Sequence, residues 1–296
     1  MKKYMLIPIF LALFSGCGSK SDLSLKKARE ALDKRDFSKV IVELDPLRKS
    51  NDPVVPEVNY LMGRAYLGLK NLSEAEKNFK KALASDTLYR DSIALAYKKR
   101  GIELGKVGER ELAIECFESA IRTSKRIYMG DAYSLMGDLY EKFGEYGKSV
   151  YYYRRSLASL KDSTSRAMAW EKLIILLEKL GDKGEAYQAT EQAMQERHYY
   201  LEPRYCQNAY LYAEDLFQRG QLDSADLIMT RVLQVELSQM LKDDIYFLAG
   251  EIRLRKGDVE GAKAAFREVL KLSVNASAAL ASKARERLAL LGEETN

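Results

Sequence analysis

Residues 133–158 read YSLMGDLYEKFGEYGKSVYYYRRSLA. Apolar side chains follow a helical spacing as far as Gly144, and a second helical stripe begins five residues later at Ser149. A glycine at this point favours the end of a helix, because it adopts a left-handed backbone conformation that other residues reach only at a cost. The stretch therefore predicts two antiparallel helices joined by a tight corner.

The same corner recurs along the chain. Five glycines are separated by 36, 37, 39 and 37 residues, a period typical of a solenoid of stacked two-helix units. A small residue five positions after each glycine lets the second helix lie close to the first, and an acidic residue directly after some of them favours a new helix start. The glycines are Gly108, Gly144, Gly181, Gly220 and Gly257, the small residues are Ala113, Ser149, Ala186, Ala225 and Ala262, and the acidic residues include Glu109, Asp182 and Asp258.

Several periods also carry a motif, in which an aromatic residue and a glycine precede a small residue and a second aromatic four positions further on, and the later units keep less of it. The pattern resembles the tetratricopeptide repeat, although that family's usual period is 34 residues. The resemblance implies an all-α fold, a right-handed α-solenoid of about six to seven helix pairs over residues 25–275, with a capping helix and tail at 276–296. The best units contain Met62, Gly63, Tyr66, Ala75 and Phe79, then Tyr97, Gly101, Ala113 and Phe117, then Tyr133, Gly137, Tyr140, Ser149 and Tyr153, and a degenerate unit surrounds Ala28 and Leu44.

The N-terminus has the pattern of a secretory signal. Lys2 and Lys3 precede the apolar run 5–14, which is followed by small residues. Ten apolar residues rise about 15 Å as a helix, too short for a hydrocarbon core of roughly 30 Å. We therefore expect residues 1–16 to be a removable signal peptide.

Residues 14–17, Phe-Ser-Gly-Cys, resemble the lipobox of bacterial lipoproteins, in which the peptide is cut before the cysteine and the cysteine is lipidated. The resemblance implies that Cys17 carries acyl chains such as palmitate and that residues 17–24 form a tether. Gly18 in place of an aspartate favours the outer membrane, facing the periplasm, with surface exposure as an alternative. A plain secreted protein without lipid remains the other interpretation.

The resemblance also implies that the first helix of each repeat lines a concave surface on which partner proteins or peptides bind. The positions expected on that surface are acidic in the middle and aromatic toward the ends, which favours a partner segment with basic and apolar side chains. The alternative is an ordinary solvated face. The candidate groove residues are Tyr60, Arg64, Lys98, Ile102, Asp131, Asp138, Glu141, Glu171, Ile175, Tyr210, Glu214, Phe217, Phe247 and Glu251.

The features of an enzyme or a nucleic-acid binder are missing from the sequence. The formal net charge is only +5 and basic residues form no run, so nucleic acid is not expected as a partner. His198 is the single histidine, which excludes a histidine-rich metal site, and its place near a helix end favours a surface or capping role. Cys116 and Cys206 belong to repeats too far apart for a disulfide and are expected to be buried free thiols. No cofactor, metal or catalytic residue is predicted.

These features together predict a non-enzymatic, lipid-anchored adaptor that binds proteins or peptides in the bacterial cell envelope. Two alternatives stay open. Abundant tyrosines, 19 in all, are compatible with a glycan- or nutrient-binding outer-membrane lipoprotein, although aromatic residues on helical stripes usually belong to the core. The other alternative is a hydrolase with an unrecognised site.

Overall fold

The computed structural model describes residues 20–48, 54–235, 242–272 and 278–293. Every regular element in these ranges is helical, which confirms the all-α class, and two short 3₁₀ helices lie at Asp45–Leu47 and Tyr199–Leu201. The α-helices are α1 Lys20–Asp33, α2 Phe37–Leu44, α3 Val55–Gly68, α4 Leu72–Ser85, α5 Tyr89–Lys106, α6 Arg110–Thr123, α7 Asp131–Lys142, α8 Tyr146–Ser159, α9 Ser163–Leu180, α10 Lys183–Gln195, α11 Glu202–Gln218, α12 Leu222–Leu233, α13 Lys242–Lys256, α14 Val259–Lys271 and α15 Ala278–Leu290.

The chain divides into two compact units, with the boundary between Tyr128 and Met129. Unit 1 contains three helix pairs, α1/α2, α3/α4 and α5/α6. Unit 2 contains four pairs, from α7/α8 to α13/α14, followed by α15. In the described residues the two helices of each pair pack on each other, and the seven pairs agree with the six to seven that the motif predicts.

The corners between paired helices have the predicted left-handed backbone. The five recurring glycines all have positive φ, between 72° at Gly181 and 86° at Gly257. The two earlier corners place Arg35 at φ 58° and Lys70 at φ 62°, a conformation that costs a non-glycine residue about 1–2 kcal/mol. The sequence gives no sign of these two corners, because the side chains of arginine and lysine do not indicate backbone conformation.

Polar residues directly after several corners begin the second helices. The side chains of Asp36, Asn71, Asp182 and Asp258 each accept a hydrogen bond from the backbone amide three residues ahead. Such N-caps satisfy an amide that has no partner inside the helix. Asp182 and Asp258 confirm the expected helix starts, whereas α6 begins after Glu109 without a side-chain cap.

In four helix pairs a glycine of the first helix lies directly against an aromatic ring of the second. A Cβ atom at Gly137 would lie 2.5 Å from the ring of Tyr153, so only glycine fits without a shift. Gly63 meets Phe79 in the same way, 16 residues further along the chain. Gly101 with Phe117 and Gly250 with Phe266 repeat the arrangement and its spacing.

The N-terminal end of unit 1 differs from the sequence interpretation, whereas the C-terminal end of unit 2 agrees with it. Helix α1 already begins at Lys20, so residues 20–24 are helical and do not belong to a tether; Ser21 and Leu25 are buried in its first two turns. At the other end, α15 buries Ala284 and Leu288 against the α14 core, which confirms a capping helix.

Candidate functional site

The predicted surface residues of unit 1 lie on α3 and α5. Tyr60 packs into an aromatic cluster, with ring centroids 5.0 Å from Tyr89 and 6.2 Å from Phe79. The guanidinium of Arg64 lies 5.7 Å from the centre of the Tyr60 ring. The structure therefore brings Tyr60 and Arg64 together as a cation–π pair.

Arg64 also lines a cleft between α1, α3 and α5, with a volume of about 250 Å³. Lys98 and Ile102 are not among its lining residues. Lys98 instead donates a hydrogen bond of 2.7 Å to the carbonyl oxygen of Tyr128. The face of α5 that lines the cleft carries Lys99, Arg100 and Glu103, which the sequence interpretation did not select.

In unit 2, two of the predicted carboxylates are held by lysines of the next helix pair. Asp138 accepts hydrogen bonds from Lys172 Nζ at 2.7 and 2.8 Å and from the Tyr153 hydroxyl at 2.8 Å. Glu141 pairs with Lys179 at 3.2 Å. Both lysines lie on α9, so these carboxylates stabilise the packing of first helices on each other and present little uncompensated charge.

The predicted residues at the end of unit 2 make similar contacts. Glu251 of α13 pairs with Arg287 of α15 at 2.6 Å. The ring of Phe247 packs against Phe266, with centroids 5.5 Å apart. Phe217 lies under the guanidinium of Arg255 at 5.2 Å. These three positions therefore contribute mainly to packing between helices.

Helix α9 carries an exposed stripe with an unpaired carboxylate. Met168 and Ile175 are 56% and 41% exposed, and Glu171 lies between them on the same face. Tyr200, 55% exposed, donates a hydrogen bond to the Ala167 carbonyl, and partial burial together with the charge of Glu171 raises the pKa of its hydroxyl. No cation of the described residues forms an ion pair with Glu171.

A second cluster, with carboxylates that no cation of the described residues neutralises, lies on α11 and α13. Burial, followed by the charges of Glu214 and Asp244, raises the pKa of Tyr210, which places the two carboxylates near this hydroxyl. Burial and the neighbouring Asp243 raise the pKa of Asp244 above its ordinary value. Within the described part of the chain, neither Glu214 nor Asp244 pairs with a cation. We give the joint name unit 2 patch to these two clusters, which are Glu171, Ile175 and Tyr200 at or beside α9, and Tyr210, Glu214 and Asp244 on α11 and α13.

The remaining predicted residue, Asp131, is exposed at the start of α7. No hydrogen bond or ion pair of the described residues involves its side chain. It is thus accessible, but no second candidate residue is seen to contact it.

A cleft of unit 2, of about 420 Å³, lies between α8, α9 and α10 and includes Trp170. Trp170 is only 5% exposed, and its indole nitrogen donates to Glu196 at 3.0 Å. Glu196 also binds Arg166, which holds the pKa of this carboxyl below its ordinary value. The surface role predicted for His198 is wrong: it follows α10 as expected but is 6% exposed, with Nε2 3.6 Å from Glu196.

The chemistry of the described residues gives no sign of a reactive site. Cys116 and Cys206 are free and buried as predicted, and burial raises the pKa of each thiol to about 12. In the described ranges, no group of three or more histidine, cysteine, aspartate or glutamate side chains is placed to hold a metal ion. None of the helices described is both long and apolar enough to cross a bilayer. Cys17 and the predicted signal peptide, residues 1–16, lie outside the described residues.

Comparison with known families agrees with the helix pairs. The tetratricopeptide repeat family model matches residues 56–87 and 243–273, which correspond to α3/α4 and α13/α14. These two segments of the chain therefore match tetratricopeptide repeats. No curated protein matches it in sequence.

Several solved structures are similar to this chain. A tetratricopeptide repeat protein from Parabacteroides merdae has 18% identity and a TM-score of 0.39, over 93% of this chain and all of its own. The C-terminal part of a repeat protein from Cytophaga hutchinsonii has 16% identity and a TM-score of 0.37, covering 89% and 99% of the two chains. PilF of Pseudomonas aeruginosa has 13% identity and a TM-score of 0.34, covering 87% and 93%. With TM-scores below 0.5, these structures carry no argument about function.

Proposed function

We propose that this protein is a non-enzymatic adaptor of the bacterial cell envelope, anchored by lipid at Cys17 in the outer membrane and facing the periplasm. Proteins of the tetratricopeptide repeat family bind other proteins. The observation that carries the proposal is the unit 2 patch, where exposed apolar and aromatic groups lie beside carboxylates that no intramolecular cation of the described residues neutralises.

The chemistry of the unit 2 patch defines the partner. Ile175 and Tyr200 offer apolar surface that a partner would remove from water, and Glu171 and Glu214 attract cations. A segment with basic and apolar side chains satisfies both. This chemistry supports the predicted class of partner. Asp138 and Glu141 are already paired with lysines, so the residues that recognise the partner lie instead on the first helices α9, α11 and α13.

The test is site-specific photocrosslinking in cells. A photoreactive amino acid at Ile175 should crosslink to a discrete partner, and the product should fall at least fivefold when Glu171→Gln and Glu214→Gln are combined. Leu227 is the matched control, because it is 53% exposed on the second helix α12. Equal crosslinking from both positions, or a product insensitive to the two carboxylates, would exclude the unit 2 patch as the recognition surface.

The proposed location rests on the N-terminal sequence. The basic pair, the short apolar run and Cys17 support export followed by lipidation, and several acyl chains at one cysteine suffice for stable anchoring. We expect radiolabelled palmitate to enter the wild-type chain and sediment with outer membranes, and Cys17→Ser to abolish both. Protease added to intact cells should leave the chain uncut if it faces the periplasm.

A glycan-binding role has less support. Tyr140 and Tyr152 stack on each other with centroids 5.3 Å apart, and Trp170 is almost wholly buried, so these rings present little free face to a sugar. Titration with envelope-derived oligosaccharides should leave the emission of Trp170, the only tryptophan, without a saturable change.

A further inference from the structure

The cleft of unit 1 between α1, α3 and α5, which we call the Arg64 cleft, has an apolar floor. Leu32 and Leu67 are buried there, and the partly buried ring of Phe37 lies beside them. Phe37 packs directly over Gly68, where a Cβ atom would come within 2.5 Å of the ring. With a volume of about 250 Å³, the cleft has room for one or two apolar side chains of a partner.

The rim of the Arg64 cleft has an excess of positive charge. Glu103 is shared, because its two oxygens each lie 2.9 Å from a guanidinium, one of Arg35 and one of Arg100. Arg64 and Lys99 form no ion pair with any carboxylate of the described residues. The four cations face only Glu103 and Asp33 across the cleft.

The net charge of unit 1 as a whole is also positive. Residues 20–128 contain 23 lysines and arginines against 17 aspartates and glutamates, a formal charge of +6. Residues 129–296 contain 23 against 26, a formal charge of −3. Opposite net charges steer different partner segments toward the two units.

We infer that the Arg64 cleft is a second recognition site, which binds an acidic peptide segment carrying a bulky apolar side chain. The apolar side chain covers Leu32, Phe37 and Leu67, and one or two carboxylates pair with Arg64 and Lys99. A charge-assisted hydrogen bond to a carboxylate is stronger than a neutral one, and an arginine can bind both oxygens at once. The site is independent of the unit 2 patch and adds to the proposed function.

A peptide fits the Arg64 cleft better than an anionic bilayer or a free phosphate. The cations stand beside an apolar depression, so the ligand must place a negative and an apolar group within a few ångströms of each other. Neighbouring residues of a peptide do this, whereas a phosphate has no apolar group and lipid chains stay in the bilayer. Binding by phosphatidylglycerol vesicles is therefore an outcome that the test must distinguish.

The experiment selects peptides from a random displayed library on the full chain in detergent, with counter-selection on the variant Arg64→Gln/Lys99→Gln. Peptides retained only by the wild-type chain should be enriched in Asp and Glu together with Leu, Phe or Met. Once synthesised, they should bind the variant at least tenfold more weakly. The matched control is Lys81→Gln/Lys125→Gln, which removes the same charge from exposed positions outside the cleft and should change the Kd less than twofold.

Three results would overturn the Arg64 cleft as a peptide site. One is that no peptide distinguishes the wild-type chain from the variant; another is that the distinguishing peptides lack acidic residues. The third result has two parts: phosphatidylglycerol vesicles displace the peptides, and both double variants lose vesicle binding to the same extent. Such a result would indicate general electrostatic attraction of anions to unit 1. The carboxylates of the unit 2 patch are intact in every variant, so failure here leaves the crosslinking result at Ile175 unaffected.

Discussion

At the scale of single residues, the glycines divide into two kinds. Gly144 and its equivalents have a positive φ and open space within 4 Å of the position that a Cβ atom would take, so backbone conformation alone selects glycine there. Gly137 has ordinary helical backbone, and the ring of Tyr153 selects it. The period in the sequence identifies the first kind, whereas the second depends on a contact with a residue 16 positions away.

We expect Gly137→Ala to lower the free energy of unfolding of unit 2 by about 1–3 kcal/mol, because the added methyl group overlaps the Tyr153 ring. Gly147→Ala is the matched control. It lies in α8 with open space around it, and alanine favours helix there by roughly 0.5 kcal/mol. Urea unfolding, monitored by Trp170 emission, measures the free energy of unfolding of both variants. An unchanged free energy for Gly137→Ala would show that the Tyr153 ring moves aside freely.

At the scale of elements, the first helices are joined by ion pairs that cross from one helix pair to the next. Lys172 reaches Asp138, and Arg204 reaches Glu178 and thereby links α11 to α9. Helical spacing within one repeat correctly places Asp138 on the first-helix face. It does not predict that a lysine 34 residues later neutralises the carboxylate, because that contact depends on how successive pairs stack.

The same limit applies to the candidate surface residues. The predicted Arg64, Glu171, Ile175, Tyr210 and Glu214 lie on first helices, and their role in recognition stays a prediction. It misses Lys99 and Asp244, since a small change in helix rotation decides which neighbouring residue faces a cleft. The sequence shows the sign of each charge. Whether that charge has an intramolecular partner depends on the folded structure.

A double-mutant cycle on Asp138→Asn and Lys172→Met should give a coupling of about 0.5–1 kcal/mol, since both side chains are about a third exposed and partly screened by solvent. The coupling should shrink in about 1 M salt. The control cycle on Glu145 and Lys148, an i,i+3 pair about half exposed, should give a value near zero. Equal couplings in the two cycles would mean that the contact between helix pairs adds no more stability than an exposed i,i+3 pair.

At the scale of the whole molecule, each unit has its own hydrophobic core. The α1–α3 region of unit 1 buries Leu25, Val40 and Leu61 together. In unit 2, Trp170 and Leu173 belong to one cluster and Ile245 to another. Each unit therefore contains buried apolar clusters made of its own residues.

Lys125 and Arg126 are exposed immediately before the boundary between Tyr128 and Met129. Brief trypsin treatment should cut there before it cuts within helices, and mass spectrometry of the two fragments checks the position. Early cleavage spread evenly over the helical segments would contradict independent cores. A cut at this boundary would divide the chain into a basic segment and an acidic segment, so that each can be tested for its own partner.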